Sequence, residues 1–325
     1  MDLFFDIGST NIKWSAGGET HFAPFPQPVR SDPPYFEVNA EQIADVVTGV
    51  IDTLSPDRVF FSVQMHGYVL FKEGREATHY VSWRDTRGRD CIPSFRLGAE
   101  YGVRIKPNLP RLSLQTQQDF DEFCTLGSYL ARKLTGNNAT HITDAAPSGF
   151  FNATTGKADE CSFRLPKALL GIGAVGKYRS SVVYSPMGDQ QCAVLGAIGG
   201  RKFGGYILNL GTAAQLCCLS EGFVSGEFES RPFFGGGTLC TVTGLPGGAV
   251  ISARSDGELV QTMKEEYGGA VEKLPARKGF LVTGGVVRYR RKLLEEVLCG
   301  FGDKIEYNAG CDALDGLKII SENVK

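Results

Sequence analysis

Short apolar runs, each broken by glycine and small polar residues, set the rhythm of this chain. The opening "LFFDIG" is an apolar run that ends on a carboxylate and a glycine, and "IKWSAGG" follows as a second run. Together they read as two strands around a tight turn. Residues 41–54, "EQIADVVTGVIDTL", change period: Ile43, Val46, Val47, Val50, Ile51 and Leu54 share one helical face. "RVFFSVQMHGYVLF" is strand, a polar break at Gln64 to Gly67, then strand again, and "THYVSWRDTRG" is a strand running into a charged loop. Asp119 to Leu134 reads as a helix stopped by Gly136. "SVVYSPMGDQQCAVLGAIGG" is a strand, a turn and a helix of small residues. Proline-rich 24–34 reads as a surface excursion.

One pattern occurs twice. The apolar strand, Gly-hydroxyl turn and strand of residues 3–16 recur at 206–219, in "GGYILNLGTAAQLCCLS". Two such units far apart imply two similar halves facing one another. The pattern restarts after residues 185–187, which sets the expected domains at 1–187 and 188–325. The second contains "SDGELVQTMKEEYGGAVEKL", of helical period, and "KGFLVTGGVVRYRRKLLEEVL", a strand, a Gly-Gly turn and a basic amphipathic helix.

Composition narrows the class. A chain of 325 residues is long enough for two domains. A formal net charge of −2 gives no electrostatic reason to bind nucleic acid or an anionic membrane. No apolar run reaches spanning length and no signal peptide is read, so the expected location is the cytoplasm. Nine cysteines are scattered without zinc-type spacing and read as reduced thiols. Two Asn-x-Thr triplets, at 138 and 152, read as chance matches.

The first turn, Asp6-Ile7-Gly8-Ser9-Thr10, is on its own no more than a hairpin. It lacks Walker spacing. Its counterpart, Asn209-Leu210-Gly211-Thr212, changes the weighting, because glycine lets backbone N–H groups approach a phosphate and a hydroxyl adds a donor. Two clamps could hold a polyphosphate between them, with Asp6 serving a metal ion. Gly171-Ile172-Gly173-Ala174-Val175-Gly176 spells G-x-G-x-x-G, but it follows "RLPKALL", helical in character, and lacks the strand-to-helix context of a dinucleotide site. Asp189 opens a helix, where an acid is either dipole-stabilised or a general base. Gln64-Met65-His66-Gly67 and Trp83-Arg84-Asp85-Thr86-Arg87 are polar clusters at strand ends, where α/β proteins place ligand contacts.

In order, these segments resemble the FGGY carbohydrate kinases, part of the actin/hexokinase/heat-shock chaperone superfamily. "FDIGSTNIK" is similar to that family's first phosphate motif and "VQMHGYVLF" to the sugar-binding segment of xylulokinase-like members. "SWRDTRG", "ITDAAPSGFFNATTGK" and "GDQQCAVLGA" are similar to its further motifs, the last being the catalytic segment. "LNLGTAAQL" looks like the second phosphate motif and "VTGGVVRYRRKLLEEVL" like the adenosine segment. Residues 231–250 are similar to sedoheptulokinase-like sequences. The chain is a shortened member by this reading, with a brief second domain and a last motif reduced to "GCDALDGLKI".

The resemblance implies an α/β fold of two ribonuclease-H-like (actin-like ATPase) domains with a central cleft. It implies ATP and Mg²⁺ as cofactors and a small sugar, a ketose or similar polyol, as substrate. Asp6 would serve Mg²⁺. Gly8, Ser9, Thr10, Lys13, Gly211 and Thr212 would serve the phosphates, and Gly284, Gly285 and Arg288 the adenosine. Gln64, Met65, His66, Trp83, Asp85 and Asp189 would line the sugar site, with Asp189 as the base. Neither nucleic acid nor membrane is implied as a partner, and a homodimer is among the assemblies allowed. A non-catalytic sugar- or nucleotide-binding protein on the same fold is the alternative.

Overall fold

The computed structural model describes residues 1–211, 213–253, 256–301, 304–310 and 312–324. Its frame is two sheets of matching topology. From edge to edge the first runs Ala174–Tyr178, Ser181–Tyr184, Arg58–Val63, Asp2–Ile7, Asn11–Ala16 and Glu19–Pro24. Its last three strands form an antiparallel meander, and Asp2–Ile7 is parallel to Arg58–Val63. The second sheet runs Glu229–Pro232, Thr238–Leu245, Ala214–Ser220, Tyr206–Leu210, Phe280–Thr283 and Ile305–Asn308. It repeats the meander, and Phe280–Thr283 is parallel to Tyr206–Leu210. This repetition is the ribonuclease-H-like pair expected from the sequence.

The central strands are apolar at successive positions because both faces are covered. Leu3, Phe5 and Ile7 point to one face, under helices Ala40–Leu54 and Leu126–Thr135, while Phe4 points to the other. In the second sheet Tyr206, Leu208 and Leu210 face helices Asp256–Lys273 and Val287–Leu298, and Ile207 faces the opposite way. Helix Asp189–Ile198 lies between the sheets. Its Cys192 joins the core of the first, and its Val194, Ala197 and Ile198 join Ile207, Cys217 and Leu281 of the second. Helix Ala313–Asn323 leaves the second sheet and packs Leu314, Leu317 and Ile320 against Phe4 and Phe60 of the first.

These two helices cross at glycines. A Cβ on Gly316 would lie 2.0 Å from the Cys192 carbonyl oxygen, and one on Gly196 would lie 2.6 Å from the Asp312 carbonyl. Both obstacles are backbone, which cannot swing aside as a side chain can. Alanine at 316 would gain up to about 1 kcal/mol in helix propensity. Overpacking at a closed crossing costs roughly 1–3 kcal/mol, so it should win. Gly316→Ala should therefore lower the melting temperature in a thermal scan; a rise would mean that the helices can part freely.

Two local expectations are corrected. Residues 119–134 are not one helix: Glu122–Thr125 is a strand paired with Tyr68–Lys72, and the helix starts only at Leu126. Thr125 sets that start, its side chain accepting from the Ser128 N–H. "RLPKALL" contains the strand Lys167–Leu169 rather than a helical segment, so the Gly171–Gly176 run joins two strands. Among the described residues no helix is long and apolar enough to cross a membrane. Of the nine cysteines the eight that are described are free thiols.

Candidate functional site

A cleft of about 530 Å³ opens between the two sheets. Asp6, Gly8, Ser9, Thr10 and Lys13 line it from the first meander, and Asn209, Gly211 and Gln215 from the second. Asp189 and Gln190 at one helix N-terminus, and Asp312 and Ala313 at another, form more of its wall. Thr283, Gly284, Gly285, Arg288, Ala309 and Gly310 complete it. Thr212 lies outside the described residues.

Each turn is fixed by backbone. In the first, the Gly8 N–H donates to the Asn11 carbonyl at 3.1 Å, and Phe25 N–H to the Thr10 carbonyl at 2.9 Å. In the second, the Gly248 N–H donates to the Gly211 carbonyl at 2.8 Å. Gly284 presses on this turn from the next strand with φ +99°, and a Cβ there would lie 2.3 Å from the Leu210 carbonyl. Only glycine satisfies both the left-handed backbone and the close approach.

The cleft carries unbalanced charge. Asp6, Asp189 and Asp312 face it with Lys13 and Arg288. Lys13 Nζ stands 3.5 Å from Asp6 Oδ2 and 3.6 Å from Asp312 Oδ2. Asp6 also accepts from Ser62 Oγ at 3.2 Å. Burial raises the Asp6 carboxyl above the usual carboxylate value, partly offset by Lys13. Asp189 is half-buried and closely surrounded, and burial together with the negative charge of Asp6 raises it to about 7. Its Oδ1 accepts from the Gln190 N–H at 2.8 Å. A carboxyl that titrates near neutrality in a cleft is suited to take a proton from an alcohol.

Among the described residues three acidic side chains meet two cations in the cleft, and a further cation would offset the charge that a polyphosphate brings. Mg²⁺ fits this donor set. Among the described residues no three acidic, histidine or cysteine side chains cluster as a protein-only metal site. Mg²⁺ commonly uses one or two carboxylates and completes its shell with water and substrate phosphates.

The residues expected at the sugar site differ in burial and in their partners. Met65 is buried beneath the segment entering Asp189, where a Cβ on Gly188 would lie 2.7 Å from its sulfur. Gln64 is buried under the first turn, its Nε2 donating to the Gly8 carbonyl at 3.2 Å. Trp83 is exposed, its carbonyl accepting from Asn108. Asp85 is buried and spends its carboxylate inside the protein, accepting from Phe36 N–H at 2.8 Å and from the backbone and guanidinium of Arg87.

His66 belongs to a network that the sequence reading missed. Its Nε2 lies 3.2 Å from Arg231 Nη2. Guanidinium only donates, so Nε2 accepts and the ring proton sits on Nδ1. Burial and the Arg231 charge lower His66 to about 3, which keeps it neutral. Arg231 also binds Glu229 and the Gln190 side-chain carbonyl, and Glu229 pairs with Lys106. Burial pulls Glu229 upward, but Arg231 and Lys106 outweigh it and hold it at about 2. The network ties the first half, through His66 and Lys106, to the second half at Glu229–Pro232. The Gly102 carbonyl accepts from Ser230 N–H at 2.7 Å beside it. The available signal was "GDQQ", whose Gln190 directly follows Asp189; nothing local marked Arg231.

No family model matches the sequence, and no curated protein matches it. Solved structures do. A xylulose kinase from Lactobacillus acidophilus superposes with a TM-score of 0.83 at 13% identity, covering 99% of this chain and 89% of that one. A gluconate kinase from the same organism gives 0.82 at 12% identity, with the same coverages. Plasmodium falciparum glycerol kinase, solved with ADP, gives 0.78 at 12% identity, covering 98% of this chain and 89% of that one. At these identities the likeness shows the fold: the actin-like ATPase architecture of sugar kinases.

Proposed function

We propose that this chain is a carbohydrate kinase of the FGGY type that transfers a phosphoryl group from ATP to a hydroxyl of a small sugar, a ketose. The observation that carries the reading is the convergence of two glycine turns, at Gly8–Thr10 and at Gly211, one from each sheet, on a single cleft that also holds Asp189. In this reading the halves are 1–187 and 188–325, with the last helix returning to the first sheet. Gly8 to Thr10, Lys13 and Gly211 receive phosphate oxygens, and Gly284, Gly285 and Arg288 border the adenosine. Asp6 would hold Mg²⁺, which would supply positive charge to offset the phosphates.

Asp189 Oδ takes the proton of the attacking hydroxyl. Lys13 reduces repulsion between the carboxylates and the incoming anion. His66, Trp83 and Gln190 bound the sugar end, and Arg231 fixes two of them in orientation. Catalysis of this kind is positioning and charge neutralisation more than bond-making by the protein. Closure of one half on the other would exclude water from the transfer.

A coupled ADP-release assay over ketoses, aldoses and polyols, with Mg²⁺ and ATP, tests the proposal. Sugar-dependent ADP release supports it. Sugar or nucleotide binding by calorimetry without release would favour the non-catalytic binder.

A further inference from the structure

A second buried acid sits beneath the segment that carries Asp189 and has no part in the transfer itself. Asp144, in helix Ile142–Ala145, is 2% exposed. Its Oδ2 lies 2.5 Å from Thr125 Oγ1 and 2.7 Å from Thr140 Oγ1. The fit is close: a Cβ on Gly127 would lie 2.6 Å from Asp144 Oδ2 and 2.7 Å from Pro186 Cβ.

The hydrogens can be counted. Thr125 Oγ1 accepts from the Ser128 N–H at 3.0 Å, so its own hydrogen is free to reach Asp144. Thr140 Oγ1 has one hydrogen and two neighbours, Asp144 at 2.7 Å and the Pro186 carbonyl at 2.9 Å. A carbonyl supplies none. With Asp144 ionised, one of those two contacts sets lone pair against lone pair. With Asp144 protonated, its O–H donates to Thr140, Thr140 donates to Pro186, and each contact holds a hydrogen. Burial raises Asp144 to about 7, which agrees with this state. The ionisable groups around it do not supply a counter-charge: Tyr80 stays neutral, His141 is lowered to about 4 by burial, and Asp189 is itself an acid.

Pro186 is three residues before Asp189. Its carbonyl accepts also from His141 N–H at 2.9 Å, and Gly188 N–H donates to Thr143 Oγ1 at 3.1 Å. Met187–Gly188 pairs with Ser62 and Val63. We infer that Asp144 is a positioning residue for the base: as a carboxylic acid it donates to Thr140, which turns the Thr140 hydroxyl onto Pro186 and fixes the segment leading into Asp189. The catalytic consequence rests on the kinase reading; the hydrogen-bond arrangement does not.

The test compares Asp144→Asn, Asp144→Ala and Thr140→Val in the full chain, by amide hydrogen exchange and by steady-state kinetics with the best sugar of the panel. Asparagine with Nδ2 in place of Oδ2 still donates to Thr140, and its second hydrogen meets Thr125 Oγ1, whose hydroxyl turns away; Asp144→Asn should therefore retain most of the protection at 187–190 and turnover within a few-fold of the parent. Asp144→Ala and Thr140→Val should speed exchange there roughly tenfold, the scale of one lost hydrogen bond. They should lower kcat by up to about 10²-fold through misplacement of the base, with KM for ATP unchanged. Exchange in Tyr206–Leu210 should not move.

Asp144→Asn behaving as badly as Thr140→Val would overturn the donor assignment. Unchanged exchange at 187–190 in Thr140→Val, or a rise spread over the whole chain, would overturn the positioning role. If Asp144→Ala fails to fold, the other two variants decide the matter. Exchange needs neither sugar nor nucleotide, so an inactive parent protein would sink the kinase reading and leave this test standing.

Discussion

Asp189→Asn should bind sugar and nucleotide and lose roughly 10²–10⁴-fold in kcat, the range of general-base effects. The base must be ionised to accept a proton. With the carboxyl raised to about 7 by burial and by Asp6, parent activity should climb with pH up to about 7 and level off above it. The variant should lose that dependence. Stability moves the opposite way. Between the ordinary carboxylate value of 3.8 and about 7, folded Asp189 holds a proton that the unfolded chain releases, so stability falls as pH rises through that window. Asparagine removes this cost. Its melting temperature should exceed the parent's at pH 8, with the gap closing toward pH 4. Undiminished turnover in the variant would remove Asp189 from the base role, whatever happens to stability.

The second large effect is expected at Asp6. Asp6→Ala should abolish Mg²⁺-dependent turnover while the melting temperature of the free protein changes little. Removing one member of a buried ion pair is normally costly because the other is stranded. Here Lys13 is partly exposed and retains Asp312 at 3.6 Å, so no charge is stranded, and the loss is confined to one acceptor of the buried Ser62 hydroxyl. The readout beyond activity is ligand-induced stabilisation. In the parent, Mg²⁺ with ADP should raise the melting temperature in proportion to binding, and in Asp6→Ala the Mg²⁺-dependent part of that rise should vanish. A variant that fails to fold would make Asp6 structural, a partner for Ser62 and Lys13, and the opening turn no more than a hairpin.

Several features of the site are local, and the sequence shows them. "LFFDIGST" and "ILNLG" each place an apolar strand before a glycine turn, and each ends at the cleft. Asp189 and Gly284-Gly285 are equally local, set at a helix start and a strand end, and they line the same cleft. Asp85 reads as a ligand contact because a charged loop after a strand often is one. In the structure its carboxylate pairs with Arg87 two residues on, whose guanidinium also meets Glu37. A sequence shows such charges side by side without showing whether they face each other or a cleft. Gln64 shows a related ambiguity: a polar residue at a strand end can support a turn from below as readily as contact a ligand.

The sequence by itself determined the strand-turn-strand repeat, the buried face of helix Ala40–Leu54 and two of the acids that end up in the cleft, Asp6 and Asp189. Each depends on residues a few positions apart, where periodicity and turn chemistry act. Only the tertiary structure decided that Arg231 meets His66 across 165 residues and Lys106 meets Glu229 across 123. It also decided that Gly196 and Gly316 let two helices cross at backbone contact. These pairings follow from how the sheets are folded against one another. Burial then sets their chemistry: the same carboxyl titrates near 4 in water and near 7 at the floor of the cleft, because the surrounding protein withholds the water that would stabilise its charge.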